Sequence, residues 1–384
     1  MKKIHKSSQV SSFLHKSSFS ETTLKWVLVL TVGGFIVSCQ SSSTGNQQPQ
    51  APITVKGANE ISVMTFNIEN AFDATHDEGT EDYTYLPLAQ KNDPKVKDYC
   101  KSISNPTYRN ECFSLDWNEN IVKFKLSQVA QVIRFVDNGQ GPDNILFAEV
   151  ENQNVLNRLF STELKDLNYK TVVVLEGFDT RGIDVGFASK FPLAKNAKAP
   201  FIHRIPYTDP KAAKSRGILE VTIELPNKKN LTFLSAHFPS QSNPTQWRGE
   251  AHDYASSVMK KYEAEGRAVI FGGDLNTLKE EDEESGYFSK VLSSAGSVSH
   301  LVGCSNCNGS HYYRGEWSFL DVIAFGNGLA NAGVELDVNS LSIIKAPVHM
   351  KKDGTPLRFN AEKLEGVADH LPLYSRLKMI SKPN

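Results

Sequence analysis

The sequence has no uninterrupted apolar run of the ~20 residues that a membrane-spanning helix requires. Its longest candidate, residues 26–37, is too short, and so does not read as a span. An excess of positive charge is also missing. The 42 Lys and Arg residues face 43 Asp and Glu, for a net charge of −1, which excludes the strongly basic profile of an electrostatic nucleic-acid binder. Cysteine is scarce, with five in 384 residues. Cys304 and Cys307 make a Cys-x-x-Cys, but Cys100 and Cys112 are too far apart to be a second knuckle, which speaks against a four-ligand zinc site. No internal repeat is present, which excludes a solenoid or propeller.

What is present begins with an export pattern. Residues 1–39 carry five lysines against the single acid Glu21, followed by the short apolar run. This is the order of charged and apolar regions in a secretory signal. The run ends Ile36-Val37-Ser38-Cys39, which resembles a bacterial lipobox, in which Cys39 would be lipidated and become N-terminal. An ordinary cleavage site with an incidental cysteine is the simpler alternative. "QSSSTGNQQPQAP" follows at 40–52 and has nothing to pack with, so residues 39–58 read as a flexible tether after a signal over 1–38. Gln40 in place of an aspartate resembles lipoproteins sent to the outer membrane of a Gram-negative bacterium. In an exported chain the four remaining cysteines suggest disulfides, and the local pairs 100 with 112 and 304 with 307 are the simplest of three connectivities.

Apolar β-rich runs alternate with helical patterns through the domain at 59–384. Strands are expected at 61–68, 144–150, 171–176, 183–189, 218–225, 231–237, 268–273 and 319–325. Helical spacing of apolar residues predicts helices over 117–136 and 246–265. The alternation favours a single α/β domain with layered sheets and helices. Residues 75–116 break the rhythm; they are polar, contain Cys100 and Cys112, and read as a long insertion loop.

The polar residues that stand out lie at the carboxyl ends of apolar strands. "VMTFNIEN" ends with Asn67, Glu69 and Asn70, "ILFAEV" holds Glu149, and "FLSAH" ends with His237. "VIFGGDLN" ends with Asp274 and Asn276, "FLDVIAF" contains Asp321, and "VADHLPLY" carries Asp369-His370. Singly, an Asp after Gly-Gly is more often a turn or cap residue, and a lone His is more often a satisfied core residue. Several acids in apolar strands need a shared partner, because burying an unpaired carboxylate costs several kcal/mol. A hard divalent cation held by oxygen ligands, Mg²⁺ or Mn²⁺, meets that need. Such a centre suits hydrolysis of a phosphate ester, with one group activating water and another protonating the leaving oxygen.

In this order the six motifs resemble the endonuclease/exonuclease/phosphatase superfamily, whose members include deoxyribonuclease-I-like enzymes, over nearly the whole chain beyond the tether. The resemblance implies a four-layer α/β sandwich with two packed mixed β-sheets flanked by helices. It implies that Glu149 binds the cation, with Asn67 and Asp369 beside it; at Glu69 the family is variable, and this residue reads as a further acid near the cation. His237 would be general acid or phosphate donor, following the deoxyribonuclease-like variant. Asp274 would orient or deprotonate the attacking water, Asn276 and Asn67 would bind the phosphate, and Asp321 would orient His370. The family often has Ser before the Asp-His pair, whereas this chain has Ala368, which removes a hydroxyl.

Arg181 either grips a substrate phosphate or is ion-paired with Asp179 or Asp184, and Arg216 has the same ambiguity. His203, His252, His300, His311 and His349 read as structural or surface residues, and "EEDEES" at 280–285 as a solvated acidic loop. The expectation is therefore an exported, lipid-anchored hydrolase, first a nuclease, with no obligate protein partner evident. A phosphatase or phospholipase-like enzyme on sphingomyelin or inositol phosphates is the runner-up, with Tyr83, Tyr85 and Tyr99 as candidate lipid-facing aromatics. A non-catalytic binding lipoprotein is the third reading.

Overall fold

The computed structural model describes residues 55–380, so the signal, Cys39 and most of the tether lie outside the described residues. Among those described, no helix is long and apolar enough to cross a membrane. The chain runs through β1 (Glu60–Ala71), α1 (Pro94–Ser102), α2 (Pro106–Ser114) and α3 (Glu119–Arg134). β2 (Asn144–Val150), α4 (Gln153–Ser161), β3 (Thr171–Val174) and β4 (Asp184–Ser189) follow. Next come β5 (Phe201–His203), β6 (Ile218–Glu224), β7 (Asn230–His237), α5 (Thr245–Ala264) and β8 (Val269–Asp274). The last stretch holds α6 (Lys279–Ser285), β9 (Gly296–Val298), α7 (Ser299–Val302), β10 (His311–Tyr313) and β11 (Glu316–Ser318). β12 (Asp321–Gly326), β13 (Val334–Ile343) and β14 (Leu373–Met379) close it.

Two six-stranded sheets result, ordered β13-β14-β1-β2-β4-β3 and β5-β6-β7-β8-β12-β9, with β10 and β11 as a separate hairpin. Each sheet is mixed, with one parallel pair at its centre, β1 with β2 and β7 with β8. Because side chains alternate along a strand, β1 sends Ile61 and Val63 to one face and Met64, Phe66 and Ile68 to the other. The first face meets Val221, Phe233 and Ile270 of the second sheet. The opposite face packs on Leu126, Val129 and Ile133 of α3 and on Leu156 and Leu159 of α4. On the outer side of the second sheet, Leu234, Phe271 and Val322 pack on Ala251, Ala255 and Met259 of α5. The layers are therefore helices, sheet, sheet, helices, as the resemblance implies.

Local signals explain the helix starts. The Asn118 side chain accepts from the amides of Asn120 and Ile121, and Asn152 accepts from Val155, so α3 and α4 each begin at an Asn cap. Such a cap contributes about 1 kcal/mol. The two long helices fall within two residues of their expected bounds. Residues 75–116 differ from the expected loop: they form α1 and α2, whose small core joins Tyr83, Leu86 and Val96 to the Cys100–Cys112 disulfide. Each helix starts with an Asx cap and a proline, Asp93-Pro94 and Asn105-Pro106, a local signal that the polar composition hides. The second local pair, Cys304–Cys307, is also formed. "EEDEES" is helical too, and its Glu281 accepts from the buried Arg248 guanidinium at 2.8 Å.

One buried acid without an ion-pair partner among the described residues gives the fold a pH signature. Asp184 Oδ1 accepts from the Gly177 amide at 2.9 Å, while its Oδ2 has no partner. Burial, with the nearby Glu176 charge, pushes its carboxyl up to about 8. The folded state thus prefers the protonated acid. Its contribution to stability is full below the unfolded acid's range near pH 4 and is lost as pH rises towards 8. Asp184→Asn keeps the Oδ1 acceptor and removes that loss. Thermal melts should show little difference from the parent at pH 4 and a growing advantage for the variant from pH 5 to 8; a constant offset would refute the assignment.

Candidate active site

The parallel and antiparallel registers of the second sheet decide what surrounds Asp274. In β7 its partner is His237, and in β12 its partner is Asp321. A histidine and an acid thus flank it across the same sheet end. The first sheet needs an additional device. In β2, residues 145 and 147 face the helices, and strict alternation would send Glu149 with them. A bulge intervenes: the register shifts between Ala148 and Val150, and Glu149 takes φ +61°. A matching shift lies between Asn67 and Ala71 of β1, where Glu69 and Asn70 take φ +48° and +50°. Bulges re-aim side chains and sharpen strand bending, and here they turn both strand ends towards the second sheet.

Glycine is required where β8 approaches β7. Gly273 has φ +141°, and a Cβ there would lie 1.8 Å from the Ala236 carbonyl oxygen. The Gly-Gly before Asp274 is therefore a packing requirement of this strand end.

The side chains converge closely. Asn67 Nδ2 donates to Glu149 Oε1 and to Asp274 Oδ2, both at 3.0 Å, so one amide bridges the two sheets. The Asn70 amide donates to Glu149 Oε2 at 3.0 Å, and the Asn276 amide to Asp274 Oδ1 at 2.9 Å. His237 Nε2 lies 3.5 Å from Asp274 Oδ2 and 3.9 Å from Glu149 Oε1. His370 Nδ1 donates to Asp321 Oδ2 at 2.7 Å, and its Nε2 is 3.8 Å from Asp274 Oδ2. Asn276 is also here, with its side-chain amide donating to the Phe238 carbonyl at 3.1 Å.

Charge divides the two histidines. Burial, then the Arg216 and His370 charges, hold the His237 imidazole well below its ordinary range, so it is neutral. Burial alone would do the same to His370, but the Asp321 and Asp274 carboxylates more than reverse it and keep His370 protonated. Burial raises Asp274, and the neighbouring Asp321 and Glu149 charges raise it further against the opposing pull of His370.

Glu69 lies beside this group, while Asp369 Oδ1 is 3.9 Å from His370 Nε2, and the Asp369, His370 and His311 ligand atoms lie within 4.8 Å of one another. Arg358 pairs with Glu69 and lies 3.9 Å from Asp369, and the Phe359 amide also reaches Glu69. Below them the fully buried Lys125 donates to the Val367 carbonyl at 2.6 Å. Arg181 is held by Asp179 through Nε and Nη2, at 3.0 and 2.7 Å, yet its side chain is 52% exposed. Arg216 is buried and donates to the same Asp179 and to the Phe238 carbonyl, while its buried Nε has no partner among the described residues. Burial opposes ionisation of Asp179, but the two guanidiniums outweigh it and hold the acid at about 2.

Three site neighbours escape sequence reading. The His311 ring lies 4.7 Å from that of His370, tilted by 39°, and the two residues form a β-bridge, whereas its sequence context reads as structural or surface. Lys125 looks like one more polar position of an amphipathic helix, and Arg358 lies outside every motif. Only the Tyr-Arg-Gly-Glu turn that makes the β10–β11 hairpin hinted that His311 would be folded back.

The donor set fits a hard divalent cation. Glu149 and Asp274 are two carboxylates converging on one neutral amide, and the Glu149, His237 and Asp274 ligand atoms lie within 4.8 Å of one another. Burial of two like charges with so little compensation is what oxygen-bound Mg²⁺ or Mn²⁺ relieves. Glu149 would hold it, with Asn67 and Asp274 adjacent.

Asp321→Asn should remove the charge that keeps His370 protonated. Imidazole NMR resonances of His370 should remain those of the cation well above pH 7 in the parent and titrate at clearly lower pH in the variant. An unchanged titration would show that Asp321 does not set the His370 charge.

Comparison with known proteins supports the site's family. A family model described as Endonuclease/Exonuclease/phosphatase family matches residues 95–379. No curated protein matches the sequence. Among solved structures, TDP2 from C. elegans superposes with a TM-score of 0.50 at 13% identity, over 83% of this chain and 75% of that chain. A Bacteroides thetaiotaomicron protein of the same family gives 0.49 at 13% identity, over 83% and 97% of the two chains. The first likeness shows the shared sandwich fold. Since the family model spans well over half of the residues, the chain belongs to the endonuclease/exonuclease/phosphatase family of phosphoester hydrolases.

Proposed function

We propose that the protein is an exported, divalent-metal-dependent phosphodiesterase that cleaves nucleic acid, anchored through Cys39 to the outer membrane of a Gram-negative cell. The observation that carries the catalytic reading is the placement of Asp274 between neutral His237 and the Asp321–His370 pair, with Asn67 tying it to Glu149. In the reaction, water attacks phosphorus in line, its oxygen forms the new P–O bond, and its proton passes to Asp274. The leaving P–O bond breaks as His370, the protonated histidine, supplies a proton to the departing oxygen. Neutral His237 donates an N–H to a phosphoryl oxygen without giving up the proton. A cation held by Glu149 would supply charge stabilisation to the phosphoryl group. Arg181, whose Nη1 makes no hydrogen bond among the described residues, would meet a neighbouring phosphate.

The packing of Tyr83, Tyr85 and Tyr99 removes these aromatics as support for a lipid substrate. Tyr83 is buried, and Tyr85 stacks flat on Phe72 with ring centroids 4.1 Å apart. Tyr99 packs against Tyr83 at 5.0 Å. These aromatics stabilise the insertion and are not presented as a membrane-dipping loop.

Purified protein with Mg²⁺ or Mn²⁺ should cut plasmid DNA or RNA, and EDTA should abolish the activity. Glu149→Ala, Asp274→Ala and His370→Ala should each reduce turnover by about 10³. Arg181→Ala should mainly raise KM. Release of phosphocholine from sphingomyelin, or of phosphate from soluble phosphomonoesters, with nucleic acid intact, would overturn the substrate assignment. Full activity in all three alanine variants would overturn the catalytic one.

A further inference from the structure

A cavity of about 860 Å³ lies at the other end of the second sheet, lined by the first residue of β7, Asn230, by Ala268 just before β8, and by the end of β6. The catalytic His237 and Asp274 are at the opposite ends of those strands, about 23 Å away by strand rise. Its floor is a built polar network. Glu220, buried in β6, accepts from His203 at 2.8 Å, from Arg267 and from the Tyr262 hydroxyl. Burial opposes its ionisation, but these three donors prevail and hold it at about 2. Neither the core nor the catalytic cleft uses this acid. What it does is fix the Arg267 guanidinium, which also donates to Thr232 at 3.1 Å, lies 3.6 Å over the Tyr262 ring and has its Nη1 3.9 Å from Glu265.

The rim is cationic beyond what its acids can balance. Lys228 pairs with Glu224, and Lys261 lies 3.9 Å from Glu265. Lys195, Lys198 and Lys229 line the same cavity and have no carboxylate within ion-pair distance among the described residues. Lys198 instead caps the Phe201 ring at 3.4 Å. A fixed guanidinium, three unpaired ammonium groups and threonine hydroxyls on the floor match the oxygens of a phosphoryl group. The volume is that of a pocket for a small molecule rather than for a bare ion.

We propose that this cavity is a second ligand site, separate from the cleft, which takes the phosphate of a small phosphorylated molecule through Arg267, Lys195, Lys198 and Lys229. Its occupation does not depend on the chemistry at Asp274. The test uses the Asp274→Ala protein and three probes: inorganic phosphate, a 5′-mononucleotide and phosphatidylglycerol vesicles. Acetylation of Lys195, Lys198 and Lys229, read by mass spectrometry, should slow at least fivefold and saturably with a phosphate-bearing probe, while exposed Lys123 is unaffected. Protection by phosphate and nucleotide assigns a soluble ligand, and protection by vesicles alone assigns a lipid headgroup. Arg267→Gln combined with Lys195→Gln and Lys229→Gln should weaken that protection at Lys198 at least tenfold, and in an otherwise unaltered chain should leave phosphodiester turnover unchanged. Absence of saturable protection by all three probes, or protection that survives the triple substitution in a protein with parental melting temperature, would overturn the proposal.

Discussion

Burying like charges together is the constraint on which the rest of the molecule depends. Asp274 is 1% exposed, and Glu149 and Asp321 stand next to it. In low dielectric such neighbours repel strongly unless hydrogen bonds and opposite charge intervene. The chain supplies one cation, His370, one bridging amide, Asn67, and backbone N–H groups from Asn70 and Asn276. This is partial compensation, and it leaves the carboxylates ready for a ligand of opposite charge. The same residues therefore limit stability and define reactivity.

The sandwich is the means of bringing these groups together. Each sheet contributes one parallel pair, and a parallel pair ends both of its strands on the same side. Two such pairs packed face to face bring four strand ends to one place. Antiparallel β12 and the segment before β14 then deliver Asp321 and His370. The bulges in β1 and β2 break alternation just where the side chains must leave the core pattern. The charged floor at the other end of the second sheet shows that the strand starts, too, carry polar networks beyond what packing needs.

Much of this was legible from residue order alone. Eight apolar runs became strands because their interior positions are filled on both faces, and the acids within them had no packing explanation. Edge elements were not legible. β13 at the edge, and β14 between it and β1, alternate apolar residues with Glu335, Asp337, Arg376 and Lys378, so their pattern is that of a half-solvated strand interrupted by charge. The insertion's polar composition concealed two capped helices held by a disulfide. The site was legible where a motif sits at a strand end. It was opaque where long-range folding supplies the group, as with Arg358 and Lys125, or where a hairpin returns His311 to His370. The placement of Glu69 beside Arg358 and Asp369 is likewise a tertiary fact, set by a loop almost three hundred residues away in sequence.

Segment 304–311 reaches both members of the Asp321–His370 pair. The Cys304–Cys307 bond closes the turn that leads to Ser310. Ser310 accepts the Asp321 amide on its hydroxyl at 2.9 Å and the Leu371 amide on its carbonyl at 2.7 Å. The next residue, His311, leans on His370. One short covalently closed stretch thus braces both members of the dyad. The covalent closure sits three residues ahead of that brace, so the support of the Asp321–His370 pair begins at a cross-link rather than at an open loop.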